Sequence, residues 1–278
     1  MTFLEFLTMT SIISWNVNGL QGILKKDRFG KKQTKVHPEN PLKELLADHQ
    51  PTIICLQEIR CSAKFDHLPH FSGYEYQYIN YAKKKRGYSG TLVASKNKPL
   101  NVIYDFGVDD KPSDPGLNEE GRMITLEFDT YYLVNIYTPN SGVKTFARLR
   151  WRIEVWEVQF REHLSKLLKL GKEVVIIGDL NIIPAALDTS WKNTQNVTGA
   201  TPEERAAFAE LLKLGFVDVY RTLYPEKREY TWTVTCPVYP RTGHRMDLSL
   251  ISSGIKYQDS QILDIRGSDH RPIKLTLA

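Results

Sequence analysis

Nearly unbroken apolar runs are the feature that most constrains how this chain of 278 residues can fold. The runs "TIICLQE", "YYLVNIY" and "EVVIIGD" are rich in the β-branched and aromatic residues that favour strands. A strand with one solvated face alternates apolar and polar residues, so an unbroken run predicts a strand buried on both faces. Further runs of this kind are "SIISWNV", "TLVAS", "MITLEF", "YTWTV", "MDLSLI" and "PIKLTLA". Such strands require covering layers on both sides of a sheet.

Amphipathic helices are predicted to supply the covering layers. The segment "TPEERAAFAELLKLG" predicts a helix with Thr201 as its N-cap, Pro202 at its first position and Gly215 closing it. The segment "PLKELLADHQ" predicts a shorter helix. A long helix ending at Gly171 is predicted by apolar residues at three- and four-residue steps: Phe146, Leu149, Ile153, Trp156, Phe160, Leu164 and Leu167.

The order of these elements predicts an α/β fold with mixed sheets. The two runs in "MITLEFDTYYLVNIY" are joined by a tight turn at Asp129 and Thr130, so they must pair antiparallel. Mixed β-sheets packed face to face and flanked by helices satisfy both the alternation and this hairpin. With 41% hydrophobic residues, the chain can form a single domain over residues 1–278. We expect an N-terminal extension over about residues 1–10 and a basic loop insertion over about residues 22–40.

Charge and cysteine content limit the partner and the compartment. A net charge of +5 favours an anionic partner, and the cations concentrate in "KKDRFGKKQTK", which includes Lys31 and Lys32, and in "KKKR". Such clusters suit a phosphate backbone, although a charge run taken alone is more often only a solvated surface. The three cysteines, Cys55, Cys61 and Cys236, cannot all pair and match no zinc spacing, which favours a reducing compartment. With no basic leader and no long apolar span, we expect an intracellular protein with no membrane partner.

Polar side chains collect where the apolar strands end or begin. Each is typical of a cap, a turn or a solvated position when taken alone. Together they offer carboxylates, carboxamides and an imidazole, with no cation among them, and strand ends in α/β folds are where ligands bind. The set is Asn16, Asn18, Gln57, Glu58, Tyr137, Asn140, Asp179, Asn181, Asp247, Ser268, Asp269 and His270.

The donor types favour Mg²⁺, with Mn²⁺ as a substitute, over zinc. Glu58 and Asp269 offer hard oxygen ligands and Asn18 a weaker one, whereas thiols and paired histidines at metal spacing are missing. The remaining residues suit phosphodiester hydrolysis. Asp179 can orient and deprotonate a water molecule, with Asn181 holding that carboxylate or the phosphate.

An imidazole and a carboxylate complete this set. Asp247 can accept a hydrogen bond from one ring nitrogen of His270, so that the other nitrogen donates to a phosphate oxygen.

The order and spacing of these motifs resemble the exonuclease III-type abasic-site (AP) endonucleases of the endonuclease/exonuclease/phosphatase superfamily. The resemblance runs through "SWNVNGL", "LQEIR", "RGYSG", "EGR", "NIYTPNSG", "GDLN", "NVTGATPEER", "HRMD" and "GSDHRP". It implies a four-layer α/β sandwich. It also implies a site in which Glu58 and Asp269 bind the metal, with Asn16 and Asn18 at its edge.

The same resemblance implies roles for the other site residues. Asp179 and Asn181 prepare the nucleophile, Tyr137 and Asn140 contact the scissile phosphate, and Asp247 pairs with His270. The residues it implies in DNA binding around a flipped-out abasic sugar are Gly87, Tyr88, Lys144, Arg148, Asn193, Asn196 and Trp232, to which the basic insertion adds Lys31 and Lys32. His244 stands where the family commonly has tryptophan, so the preference for an abasic site stays open.

The resulting expectation is a monomeric, magnesium-dependent endonuclease that cuts double-stranded DNA 5′ to an abasic site or at another lesion. Activity as a 3′-5′ exonuclease or 3′-phosphodiesterase stays open beside it. Three alternatives also remain: a retrotransposon-type nicking endonuclease, suggested by "YRTLYPEKREYTW", an inositol or lipid phosphatase, and a catalytically silent DNA-binding module.

Overall fold

A computed structural model describes residues 9–27, 29–65, 68–107, 115–194, 197–234 and 242–278. The strands are β1 (Thr10–Asn16), β2 (Ile53–Gln57), β3 (Tyr76–Asn80), β4 (Thr91–Ser95), β5 (Asn101–Tyr104), β6 (Met123–Glu127), β7 (Tyr131–Tyr137), β8 (Glu173–Asp179), β9 (Phe216–Asp218), β10 (Trp232–Thr233), β11 (Gly243–His244), β12 (Asp247–Ser252), β13 (Tyr257–Ile262) and β14 (Ile273–Leu277). The α-helices are α1 (Leu20–Leu24), α2 (Pro41–His49), α3 (Leu149–Trp151), α4 (Glu157–Lys169), α5 (Pro202–Leu212) and α6 (Val219–Leu223). A π-helical turn (Arg152–Trp156) joins α3 to α4, and 3-10 turns span Leu68–Phe71, Pro115–Asn118 and Ala186–Asp188.

Two mixed six-stranded sheets form the body of the described chain. Their strand orders are β13-β14-β1-β2-β4-β3 and β5-β6-β7-β8-β12-β9, and β10 pairs with β11 in a separate ribbon. The pairs β1–β2 and β7–β8 are parallel, and the other pairs are antiparallel. The predicted α/β class and the four-layer sandwich implied by the resemblance are both confirmed.

Strand β8 shows why the unbroken apolar runs were needed. Val175 and Ile177 pack between the two sheets, whereas Val174 and Ile176 pack under the helix layer with Trp156 of the π-helical turn. Successive side chains of a strand point to opposite faces, so burial on both faces demands apolar residues at every position. Gly178 interrupts the run because a Cβ there would lie 2.0 Å from the Ile136 carbonyl oxygen. This close approach seats the end of β8 directly beside β7.

The interior between the sheets also holds a polar bridge. Gln57 is fully buried, and its Nε2 donates to Ser14 Oγ at 2.8 Å and to Asn135 Oδ1 at 2.7 Å. The sequence groups Gln57 with the polar strand ends at which a ligand is expected, and this part of the prediction is wrong. Its side chain turns between the sheets, where a buried amide needs partners of its own.

Helix α5 begins and ends with the capping residues that the sequence predicts. Thr201 Oγ1 accepts from the Glu204 amide, and the Glu204 carboxylate accepts from the Thr201 amide, which completes a capping box. Gly215 follows the helix with φ of 99° and donates its amide to the Leu212 carbonyl. The predicted shorter helix is α2.

The long helix differs from its prediction at its start. Phe146 lies before the helix in a left-handed conformation with φ of 51°, and the π-helical turn follows directly on α3. A π turn adds a residue to the repeat. Arg152 is buried on this segment, whereas Leu149 and Ile153 are half-buried.

The predicted insertion and the cysteines have clear positions. Residues 22–24 belong to α1, and the loop that follows carries a bridge between Lys26 and Lys32. Cys55 and Cys61 are buried free thiols, and Cys236 lies outside the described residues. Within the described ranges, we find no helix with the length and apolar character needed to span a membrane.

Candidate active site

The two parallel strand pairs bring the predicted polar residues to one edge of the sandwich. Asp179 ends β8, pairs with Tyr137 at the end of β7, and pairs on its other side with Asp247 at the start of β12. Asn16 ends β1 in the other sheet, and its Nδ2 donates to Asp179 Oδ2 at 2.9 Å. Residues from four strands and both sheets therefore meet at this edge.

An imidazole lies between two buried carboxylates at the same edge. His270 Nδ1 is 2.8 Å from Asp247 Oδ2, and its Nε2 is 4.0 Å from Asp179 Oδ2. The second distance exceeds a hydrogen bond. The other oxygen of Asp247, Oδ1, is buried and has no hydrogen-bond partner among the described residues. The arrangement leaves acceptor capacity and an unbonded imidazole nitrogen in the site.

Burial and charge shift the proton affinities of these groups. Burial and the neighbouring Asp247 raise the pKa of Asp179 to about 7. Burial opposes protonation of His270, but the carboxylates of Asp247 and Asp179 outweigh it and raise the His270 pKa to about 10. The site therefore combines an imidazolium with a carboxylate that titrates near neutral pH.

Two asparagines follow Asp179 and extend the polar floor. Asn181 has φ of 48°, donates its amide to Asp179 Oδ1 at 2.9 Å, and donates its Nδ2 to the Thr138 carbonyl at 2.8 Å. Asn140 Nδ2 donates to Asn181 Oδ1 at 3.2 Å and to Thr198 Oγ1 at 3.3 Å. These contacts fix both carboxamides beside the Asp179 carboxylate.

Asp269 is held by donors on both oxygens. Asn18 Nδ2 donates to its Oδ1 at 2.9 Å and Trp232 Nε1 donates to its Oδ2 at 3.1 Å. Burial raises the pKa of Asp269, but the charge of His270 and these hydrogen bonds together bring it below its ordinary value. Asp269 is therefore ionised and oriented.

Glu58 occupies a strained position at the end of β2. Its φ is 54°, in the left-handed region that non-glycine residues seldom adopt, and Arg60 Nε donates to its Oε1 at 3.0 Å. It lines the same cavity as Asn16 and Asp179. Such strain clusters at functional sites.

The donor set at this edge suits a hard cation. Carboxylate and carboxamide oxygens line it, and the described residues place no thiol among them. The described acid and histidine groups also contain a compact trio, Asp179, Asp247 and His270, whose potential ligand atoms lie within 4.8 Å of one another. The site is an acidic one that could hold a cation.

A cavity of about 440 Å³ opens directly over these groups. Its polar lining consists of Asn16, Glu58, Tyr137, Asn140, Lys144, Asp179, Asn181, Thr198 and His270. A second wall consists of Trp191, Val197, Trp232, His244 and Met246, which pack together, and Val143 also lines the cavity. A ligand would meet reactive polar groups and a largely aromatic and apolar wall.

Aromatic rings form much of that second wall. The His244 ring stacks on Trp232 with centroids 5.2 Å apart and planes 7° apart, and meets the edge of Trp191 at 4.6 Å. Gly243 permits this stack, because a Cβ there would lie 2.0 Å from the Trp232 carbonyl oxygen. Burial lowers the pKa of His244 to about 4, so the ring is neutral near pH 7. His244 thus preserves an aromatic wall where tryptophan was expected.

Tyr88 and Arg148, both predicted to bind DNA, lie together beside the site. Buried Arg122 donates to the Tyr137 carbonyl at 3.0 Å and to Tyr88 Oη at 3.2 Å, and Arg148 Nη1 lies 3.4 Å from the same Tyr88 oxygen. Tyr88 and Arg148 line a second cleft of about 490 Å³. Gly87, which precedes Tyr88 in the chain, has φ of 69°. Arg122 links this cleft to the end of β7.

The basic insertion borders a third cleft, of about 1060 Å³, that reaches Asn18 and Asp269. Lys26 Nζ donates to the Gly267 carbonyl, which ties the loop to the segment before Asp269. Lys31 and Lys32 are exposed on this loop. The loop therefore presents cations next to the site.

Three further DNA-binding predictions have different outcomes. Lys144 is exposed and lines the cavity over the site. Asn193 is exposed on the loop after β8, and Asn196 lies outside the described residues.

Several supporting residues were not singled out by sequence reasoning. Arg152 is buried and donates to the Asn181 carbonyl at 2.8 Å and to Glu204 Oε1 at 2.9 Å. Trp191 and Thr189 complete the surroundings of His244. Arg152, the last arginine of "KTFARLRWR", lies within an apolar helical stripe. This position is the one signal in the sequence that could have pointed to it.

Two facing mixed sheets with a carboxylate, imidazole and carboxamide site at one edge define an enzyme that hydrolyses phosphate esters. The profile of the Endonuclease/Exonuclease/phosphatase family matches residues 13–270, and the chain belongs to this family. It is 38% identical to an exodeoxyribonuclease of Bacillus subtilis, over 96% of this chain and 98% of that protein. It is 35% identical to the DNA repair nuclease APEX1 of Danio rerio, over 96% of this chain and 82% of that protein. Among solved structures, the AP endonuclease LMAP of Leishmania major is similar with a TM-score of 0.81 and 28% identity, covering 97% of this chain and 87% of that one.

Proposed function

We propose that the chain is a magnesium-dependent DNA repair endonuclease that hydrolyses the phosphodiester 5′ to an abasic site in double-stranded DNA. The observation that carries this proposal is the juxtaposition of the Asp179, Asp247 and His270 cluster with a cavity walled by Trp232 and His244. The polar cluster suits phosphodiester hydrolysis. The aromatic cavity suits a sugar that has left the base stack.

The proposed roles follow from the contacts of each residue. Asp179 accepts the proton of the attacking water, because its oxygen faces the cavity edge and its pKa is tuned to about 7. Asn181 and Asn16 hold that carboxylate by hydrogen bonds.

The phosphate is received by the other polar groups. His270, positive and fixed by Asp247, donates from Nε2 to a phosphate oxygen. Tyr137 and Asn140 line the same cavity as His270 and are proposed to contact the scissile phosphate as well.

Glu58 and Asp269 are proposed to hold Mg²⁺, or Mn²⁺ in its place, with Asn16 and Asn18 at the edge of the ion. Their carboxylate oxygens match the preference of these ions. When bound, the ion would neutralise charge on the phosphate and on the leaving oxygen. Asn18 orients Asp269 by donating its Nδ2 to Oδ1.

The DNA is proposed to lie across the clefts beside the site. Tyr88 and Arg148, with Gly87 before them, would contact the backbone on one side, and Lys31 and Lys32 would do so on the other. At the cavity itself the contacts are proposed to come from Lys144, Asn193, Asn196, Trp232 and His244. One chain supplies all these groups, so we propose that it acts as a monomer. Its place of action would be intracellular, where DNA lies: the cytoplasm or nucleoid, or the nucleus.

A 3′-5′ exonuclease or 3′-phosphodiesterase activity is the second candidate for the same site. It is favoured by the name of the Bacillus subtilis relative, which matches this chain over nearly its whole length. The nicking endonuclease, phosphatase and silent-module alternatives lack a comparable observation. The silent module in particular would not need a carboxylate held at a pKa near 7.

The test is cleavage of matched duplexes that contain an abasic site, a uracil or no lesion, with Mg²⁺ or with EDTA. We expect a nick 5′ to the abasic site in Mg²⁺ alone. Equal cutting of the undamaged duplex would favour the nicking endonuclease. Phosphate release from inositol phosphates without DNA cleavage would favour the phosphatase, and DNA binding without any cleavage would favour the silent module.

A further inference from the structure

His244 has one ring nitrogen whose chemistry is fixed by the surrounding loop. Its Nδ1 lies 2.9 Å from Thr189 Oγ1, and that same oxygen accepts the Trp191 amide at 3.0 Å. Thr189 is buried, and its hydroxyl hydrogen has no other acceptor among the described residues. Because a buried hydroxyl needs an acceptor, the Thr189 hydroxyl donates to an unprotonated Nδ1. The proton of the neutral ring must then reside on Nε2.

The Nε2–H group is free to meet a ligand. It makes no hydrogen bond to any described residue, and the ring lines the cavity over the active site. The stack on Trp232 and the edge contact with Trp191 hold the ring in one orientation. His244 therefore adds a fixed, uncharged hydrogen-bond donor to an otherwise mainly apolar wall.

We propose that His244 Nε2–H donates to the 1′-oxygen of an abasic deoxyribose in this cavity. The proposal rests on the proposed function and names the chemical group that the cavity recognises. Loss of a base leaves a hydroxyl or carbonyl oxygen on C1′, at the position that the base occupied. In the proposed complex this oxygen faces the His244 ring. A tetrahydrofuran analogue keeps the ring but lacks this oxygen, so it cannot accept the bond.

The experiment compares kcat/KM for two otherwise identical duplexes, one with a natural abasic site and one with tetrahydrofuran. A neutral hydrogen bond changes such a ratio by about 3- to 10-fold. His244→Phe keeps an aromatic ring and removes the donor, so it should lower the ratio of natural to tetrahydrofuran cleavage by that factor. His244→Gln places an amide donor near Nε2 and should restore part of the ratio.

Thr189→Val supplies a second, independent variant. It removes the group that fixes the tautomer while keeping the β-branched shape, so the ratio should fall between those of wild type and His244→Phe. Parallel losses on both substrates in His244→Phe, or an unchanged ratio, would overturn the assignment. If the wild type cuts neither abasic duplex, the proposed function fails and this inference fails with it. If the wild type cuts both duplexes but the ratio is the same in His244→Phe, only the inference fails.

Discussion

His270 Nε2 lies 4.0 Å from Asp179 Oδ2, too far for a hydrogen bond, although both side chains are buried. Their other atoms are satisfied elsewhere, His270 Nδ1 by Asp247 and the Asp179 oxygens by Asn16 and Asn181. The two groups face each other across a gap at the cavity floor. Because they do not satisfy each other, a positive donor and a carboxylate both stay available to a phosphate and a water molecule that enter the cavity above them.

Asp179→Asn tests the proposed base. The amide keeps the shape of the side chain but cannot accept a proton, so kcat should fall by at least about 100-fold. Affinity for an abasic duplex should change little, since the carboxylate is not a phosphate contact. Single-turnover cleavage and a binding titration in Ca²⁺ would measure the two quantities. A near-normal rate would rule out Asp179 as the base.

The pH dependence of kcat/KM tests the charge arrangement. The pKa of Asp179 is raised to about 7, so activity should increase as pH rises through that value and the carboxylate forms. The pKa of His270 is raised to about 10, so activity should fall as pH rises through it and the donor loses its proton. Asp247 raises both pKa values, so Asp247→Asn should move both limbs to lower pH. A profile whose limbs stay in place in this variant would contradict the coupling.

Substitution of Glu58 should separate its chemistry from its backbone strain. Glu58→Ala and Glu58→Gly both remove the carboxylate, and we expect extra Mg²⁺ to restore part of the lost activity in each. Glycine adopts a φ of 54° without a Cβ penalty, so Glu58→Gly should be more stable than Glu58→Ala by about 1 kcal/mol. Urea unfolding of the two variants measures the difference. Identical midpoints would show that the left-handed conformation carries no cost here.

The salt dependence of DNA binding tests the basic loop. Lys31→Ala with Lys32→Ala should reduce the slope of log affinity against log salt by about 1 to 2, because each phosphate contact releases about one counterion. Lys256→Ala is the matched control. Lys256 is exposed beside the start of β13, which lies next to the Thr10 end of β1, whereas Asn16 lies at the other end of that strand. If both variants give the wild-type slope, the loop makes no contact with the DNA backbone.

The strands that sequence reasoning missed are informative. Besides the two-residue β11, they are β3, β5, β9 and β13, and these four occupy the outer edges of the two sheets. An edge strand is less enclosed than a central one, so "YQDSQI" in β13 can retain polar residues that conceal its conformation. The central strands require apolar residues at successive positions, so they could be predicted from the sequence.

Gln57 and Arg152 show a second limit of prediction from sequence, which concerns where a polar side chain points. A polar residue at the end of an apolar run can face a ligand or turn into the interior, and the run itself is identical in both cases. Gln57 turns inward because Ser14 and Asn135 offer it partners from two different sheets. Arg152 is buried on a helical segment, where its guanidinium donates to the Asn181 carbonyl.

By itself, the sequence determined the fold class, the central strands and the kinds of chemical group carried at their ends. These properties depend on local periodicity and composition, which can be seen in short segments of the sequence. Only the tertiary structure decided that Asn16 bonds to Asp179 across 163 positions, and that Trp191 and Thr189 surround His244. Such contacts depend on strand order and loop geometry, which are set by the packing of the whole molecule rather than by any one segment.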